Sequence, residues 1–105
     1  MPAMQIGSLA DVPEGGVRRF DVGGVPLAVF NVGGALYALA DTCSHANASL
    51  SAGEVDVDEL CVVCPLHGSP FDLRSGKPRT LPAFMPVATY KVWAEGDALF
   101  VEYTA

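Results

Sequence analysis

Apolar and polar positions change over with a short period along this chain. Val17 to Val22, Val25 to Val32 and Ala35 to Ala40 are runs rich in Val, Leu, Ala and Phe, parted by Gly23-Gly24 and Gly33-Gly34. Two-residue glycine links between such runs predict tight hairpins, because both central residues of the favoured turn need positive φ. Three strands of an antiparallel meander follow. Gln5 to Ala10 predicts an earlier strand, closed by a turn at Asp11-Val12-Pro13-Glu14-Gly15-Gly16. Leu60-Cys61-Val62-Val63 predicts a buried strand. Thr89 to Trp93 and Ala98 to Tyr103 predict a closing hairpin around Glu95-Gly96-Asp97, with apolar residues at Tyr90, Val92, Leu99, Val101 and Tyr103. Trp93, Phe100 and Phe20 are expected to pack rather than to relay electrons. No window holds apolar residues at helical spacing over ten or more positions, so the fold class is all-β.

Composition narrows this further. At 105 residues and half apolar, the chain makes one domain, residues 1–105, with a modest core. Its most apolar stretch, Val25 to Ala40, is broken by Asn31 and Gly33-Gly34 and is too short for a comfortable membrane span. Met1-Pro2-Ala3-Met4-Gln5-Ile6 has no basic segment followed by an apolar one, so secretion is not expected and the cytoplasm is. Twelve acidic residues against six basic ones leave a formal charge of −6, which argues against nucleic acid or an anionic membrane as partner and is compatible with a basic protein. Four of those acids fall in Glu54-Val55-Asp56-Val57-Asp58-Glu59, either a docking patch or a solvated turn.

The chemistry is concentrated in two short segments. Both histidines and two of the three cysteines lie in Cys43-Ser44-His45 and Cys64-Pro65-Leu66-His67, separated by 18 residues. Thiolate and imidazole are good transition-metal ligands, so this is a candidate metal site. Zinc modules usually pair Cys with Cys and His with His, whereas each pair here is mixed. A bridged two-iron cluster accepts that order, with one Cys and one His from each of two facing loops. Cys61 and Cys64 also form a C-x-x-C, but Cys61 is better read as a small buried strand residue. With two cysteines committed, no disulfide framework is available, and a reducing compartment is expected. A structural zinc module stays open as the alternative.

Cys43-Ser44-His45 and Cys64-Pro65-Leu66-His67-Gly68-Ser69-Pro70-Phe71-Asp72 resemble the two cluster-binding boxes of Rieske [2Fe–2S] proteins. The resemblance is greatest to the small ferredoxins of bacterial ring-hydroxylating dioxygenases. It implies an antiparallel β-sandwich or barrel scaffold, about residues 1–41 and 80–105, with an inserted cluster-binding subdomain at about 42–79. It also implies one [2Fe–2S] cluster held by Cys43, His45, Cys64 and His67. Gly68, Ser69, Phe71 and Pro82 would stand around it, and the loop Leu81 to Pro86 would cover its far side. The implied role is a soluble one-electron carrier between a flavin-dependent ferredoxin reductase and a terminal oxygenase component. No catalytic residue is expected, because the chain lacks a nucleotide-binding G-x-G-x-x-G and a spare His pair with a carboxylate. A small Rieske-like subunit of a nitrite reductase, or a redox sensor, fits the same scaffold.

Charge sets the expected potential. Two thiolates neutralise the oxidised centre when both imidazoles are neutral, and adding an electron to a neutral centre is easier than to an anionic one. The high-potential branch carries a disulfide where the resemblance puts Ala48 and Leu66, and a Tyr where Phe71 stands. Both differences predict a lower potential. Ser69 opposes them, since its hydroxyl matches a donor to a bridging sulfide. The lower half of the Rieske range is expected.

Overall fold

The computed structural model describes residues 3–43, 48–66, 68–79 and 85–102. Among the described residues nine strands follow in chain order: β1 (Ala3–Ser8), β2 (Val17–Val22), β3 (Val25–Val32), β4 (Ala35–Ala40), β5 (Glu54–Asp56), β6 (Cys61–Val63), β7 (Pro70–Asp72), β8 (Thr89–Glu95) and β9 (Ala98–Glu102). Every pairing is antiparallel. Two sheets result, one ordered β1-β9-β8-β4-β3-β2 and one β5-β6-β7.

The meander has its expected boundaries at β2, β3 and β4. Its glycine turns have the positive φ that the hairpins need, +58° and +84° at Gly23-Gly24 and +61° and +88° at Gly33-Gly34. The six-stranded sheet curls until its edges meet. Gly7 of β1 lies so near β2 that a Cβ there would sit 2.9 Å from Phe20 Cε1, and the sheet becomes a nearly closed barrel.

β3 and β4 are buried on both faces. Val29 and Ala38 point into the barrel with Val12 and Leu99. Ala28, Phe30 and Leu39 point the other way, into a second core with Leu50, Val62, Phe71, Leu73 and Val87. This double burial explains why Val25 to Ala40 is so apolar, since a strand covered on both faces loses its polar alternation. Asn31 serves the turns: its side-chain amide donates to the Val12 carbonyl (2.9 Å) and its Oδ1 accepts from the Gly34 amide (3.1 Å).

Three boundaries differ from the sequence pattern. β1 begins earlier and stops at Ser8, where the chain makes a 3-10 turn, Leu9–Asp11. Ser8 Oγ accepts from the Ala10 amide and Asp11 accepts from the Ser8 amide, a reciprocal cap that ends the strand. Leu60 is outside β6, in the preceding turn, at φ +52°. β8 continues through Glu95, so the last turn is Gly96-Asp97 alone. Trp93 and Phe100 stack across the β8–β9 pair, with ring centres 6.0 Å apart. Tyr103 lies outside the described residues.

Gly76 joins the small sheet to the chain returning to β8. Its amide donates to the Asp72 carbonyl, its carbonyl accepts from the Val87 amide, and its φ is +73°. A Cβ there would fall on the Val87 carbonyl oxygen, whereas at Gly24, also at positive φ, nothing lies within 4 Å. Gly24→Ala should therefore cost only the left-handed backbone penalty, about 1–2 kcal/mol. Gly76→Ala should cost more, because two backbones must separate. Thermal melts of the two variants should rank in that order; equal Tm values would contradict the close approach.

Candidate metal centre

Each candidate thiol sits where a strand gives way to a tight loop. After β4, the Thr42–Ser49 bridge, the Leu50 amide on the Asp41 carbonyl (2.6 Å) and the Cys43 amide on the Ala48 carbonyl (2.9 Å) draw the ends of the first loop together. After β6, the Cys64 amide donates to the Ser69 carbonyl and the Gly68 amide to the Cys64 carbonyl, both at 2.9 Å. Gly68 stands at φ +73° with nothing within 4 Å of a would-be Cβ. Glycine is needed there for the backbone angle, and its bare side leaves room for a close neighbour.

Cys43 and Cys64 belong to one core, 4% and 1% exposed, with Leu50, Val62 and Phe71. The fold thus brings the two cysteine segments together, although 20 residues separate those thiols in the chain. Pro65 and Leu66, next to Cys64, are exposed. The candidate thiols are therefore buried, with exposed residues directly beside Cys64. His45, His67 and Pro82 lie outside the described residues. Among the described residues, no three His, Cys, Asp or Glu side chains converge on one ion.

Of the expected surrounding residues, Ser69 and Phe71 are fully buried. Phe71 pairs with Val62 across β6–β7 and bridges to Pro78, so its ring is part of the core under the site. Cys61 is separate from that core. It pairs with Asp56 on one side and Asp72 on the other, and burial pushes its thiol pKa up, so it stays protonated.

Two anchors were not legible as such in the sequence. Asp41 is a buried carboxylate, 2% exposed, that accepts from Ser49 Oγ and from the Ser51 amide (2.8 Å). Arg79 straps the second segment. Its Nη2 donates to the Glu59 carbonyl (2.6 Å) and to Asp72 Oδ2 (2.8 Å), which holds the turn carrying Leu60 against β7. The acidic run itself forms β5 and a tight turn, with Asp56 Oδ1 accepting from the Asp58 and Glu59 amides. Only the Asp before the first pair could have drawn attention to Asp41.

The chain matches the model of the Rieske [2Fe–2S] domain over residues 3–91. The chain belongs to the Rieske [2Fe–2S] family. The ferredoxin subunit of 3-phenylpropionate/cinnamic acid dioxygenase from Shigella flexneri is 49% identical over 94 residues, 90% of this chain and 87% of that protein. Among solved structures, the ferredoxin of carbazole 1,9a-dioxygenase from Nocardioides aromaticivorans is 35% identical, with a TM-score of 0.90 over 96% of this chain and 97% of that one. A ferredoxin solved in complex with the oxygenase of carbazole 1,9a-dioxygenase is 36% identical, with a TM-score of 0.83 over 94% and 91%. This Rieske protein is a ferredoxin, an electron-transfer component and not the catalytic oxygenase. A Rieske domain carries a [2Fe–2S] cluster. Two buried thiols in one core fit that group, which when bound takes up and releases one electron. Among the described residues no helix is long and apolar enough to cross a membrane.

The strap makes a pH prediction. Hydrogen bonding from Arg79, helped by the Ser75 and Arg74 amides and opposed by burial, holds the Asp72 carboxyl down at about 2, against 3.8 ordinarily. A depressed carboxyl stabilises the fold above its unfolded pKa and loses that contribution as pH falls through its folded one. The stability gap between the native protein and Asp72→Asn, read from urea midpoints, should be full at pH 5 and shrink between about pH 4 and 2. A gap constant over that range would refute the strap.

Proposed function

We propose that Cys43, His45, Cys64 and His67 ligate the [2Fe–2S] cluster, with the two cysteines on one iron and the two histidines on the other. The chain would pass single electrons from a flavin-containing reductase to the terminal oxygenase of a ring-hydroxylating dioxygenase system. The observation that carries this reading is the convergence of Cys43 and Cys64, from separate loops, in one buried core. Residues of about 42–79 form the cluster-binding subdomain, set into a scaffold made by the rest. Its setting is the cytoplasm.

The surface supports a carrier that docks briefly. Leu66, two residues from Cys64, is 63% exposed, an apolar side chain presented beside the proposed ligand on an acidic protein. A small contact of that kind suits an electron-transfer encounter. The partner's substrate never touches this component, and the 3-phenylpropionate and carbazole of its relatives' names need not be shared.

Cys43→Ser, His45→Ala, Cys64→Ser and His67→Ala should each give protein that lacks the cluster's colour, whereas Cys61→Ser should keep it. Iron and acid-labile sulfide content checks this, and zinc in place of sulfide would restore the structural-module reading. Film voltammetry should give a one-electron wave below about 0 mV that falls at alkaline pH. Ser69→Gly should move that wave downward if the hydroxyl donates to the cluster; an unmoved wave would make Ser69 a turn residue.

A further inference from the structure

A buried carboxylate is costly unless its oxygens are satisfied, so a chain that keeps one has placed it for a reason. Asp41 is such a group, at the point where β4 enters the first loop. Both of its oxygens are used: Oδ2 accepts from Ser49 Oγ, and Oδ1 accepts from the Ser51 amide at 2.8 Å. Ser49 Oγ also lies 3.0 Å from Ser51 Oγ. Because the Ser49 proton is given to the carboxylate, Ser51 supplies the proton of that second contact, and a short chain of hydroxyls runs toward the charge. Arg19 Nε, 4.0 Å from Oδ2, adds a longer attraction from β2.

These contacts join residues before the loop to residues after it. They add to the backbone bonds from the Leu50 amide to the Asp41 carbonyl and from the Cys43 amide to the Ala48 carbonyl. On this side an open pocket of about 240 Å³ is lined by Arg19, Pro26, Asp41, Thr42, Ala48 and Ser49. We propose that Asp41 is a positioning residue for the cluster: its carboxylate clamps the first loop shut through Ser49 and Ser51 and so holds Cys43 in place. This rests on the ligand reading given above.

The test uses the cluster-loaded protein and follows the visible absorbance as an iron chelator removes the cluster. Asp41→Ala should lose it about 10–100-fold faster than the native protein, the range typical when a group that orients a ligand is removed. Asp41→Asn should restore most of the retention. Its carbonyl can take the Ser51 amide while its NH₂ donates to Ser49 Oγ, which then turns to donate to Ser51. Val22→Ala, which loosens a core cluster that does not contain Cys43, is the control for general instability. If Asp41→Ala releases the cluster no faster than Val22→Ala, the clamp is refuted. An Asn variant as fast as the Ala variant also refutes it, since charge and not the two bonds would then be responsible. Should Asp41→Ala fail to fold, Ser49→Ala is judged against the same control in the same way. A Cys43→Ser protein that kept its cluster would instead refute the ligand reading, so the two failures are distinguishable.

Discussion

The structure depends on apolar burial across a shared wall. β3 and β4 separate two cores, one inside the barrel and one between the barrel wall and the small β5-β6-β7 sheet. Phe30 on the wall and Phe71 on the small sheet are both fully buried in the second core. Burial of a side chain of that size is worth about 1.5–3 kcal/mol. A three-stranded sheet of three-residue strands is too small to stand alone, and this contact holds it in place. Cys43 and Cys64 lie in the same core, so the packing that seats the small sheet also buries both thiols.

Apolar contact is not directional, whereas hydrogen bonds are. Two polar anchors stand beside the cysteine segments, one at each. Asp41 gathers hydroxyl and amide donors at the base of the first, while Arg79 ties the turn before Cys61 to Asp72 beyond the second. The anchors differ in exposure. Asp41 is nearly inaccessible and its bonds are little screened by water, whereas Arg79 is partly exposed and its ion pairs contribute less. Arg79 acts chiefly by holding backbone: Leu60, a bulky residue at positive φ, is kept there by the bond to the Glu59 carbonyl and by its own carbonyl accepting from the Leu73 amide.

An electron carrier must keep water from its centre and yet bring it near a partner. On the proposed ligand reading, the apolar core that holds Cys43 and Cys64 serves the first need, and the exposed Pro65 and Leu66 beside Cys64 serve the second. Cys61 shows how the same strand keeps a third thiol apart. Val62 faces the shared core, while Cys61 faces Asp56 and Asp72, protonated and away from the site.

The local signals were legible without coordinates. Glycine pairs placed the hairpin turns because positive φ is cheap only for glycine, and scarce Cys and His in mixed pairs marked a candidate metal site because few residue types ligate soft metals. The strand ends at Ser8 and Leu60 were not legible, since a cap formed by Asp11 and a strap from Arg79 overrode the run of apolar letters. Nor did the sequence explain why Val25 to Ala40 is apolar throughout. Periodicity reports which residues share a face but not what covers it. The sequence by itself determined the class of fold, the turns and the candidate ligands. Tertiary structure alone decided that β3 and β4 are covered on both sides, that Asp41 is buried, and that Cys43 and Cys64 share one core, because each depends on contacts between residues far apart in the chain.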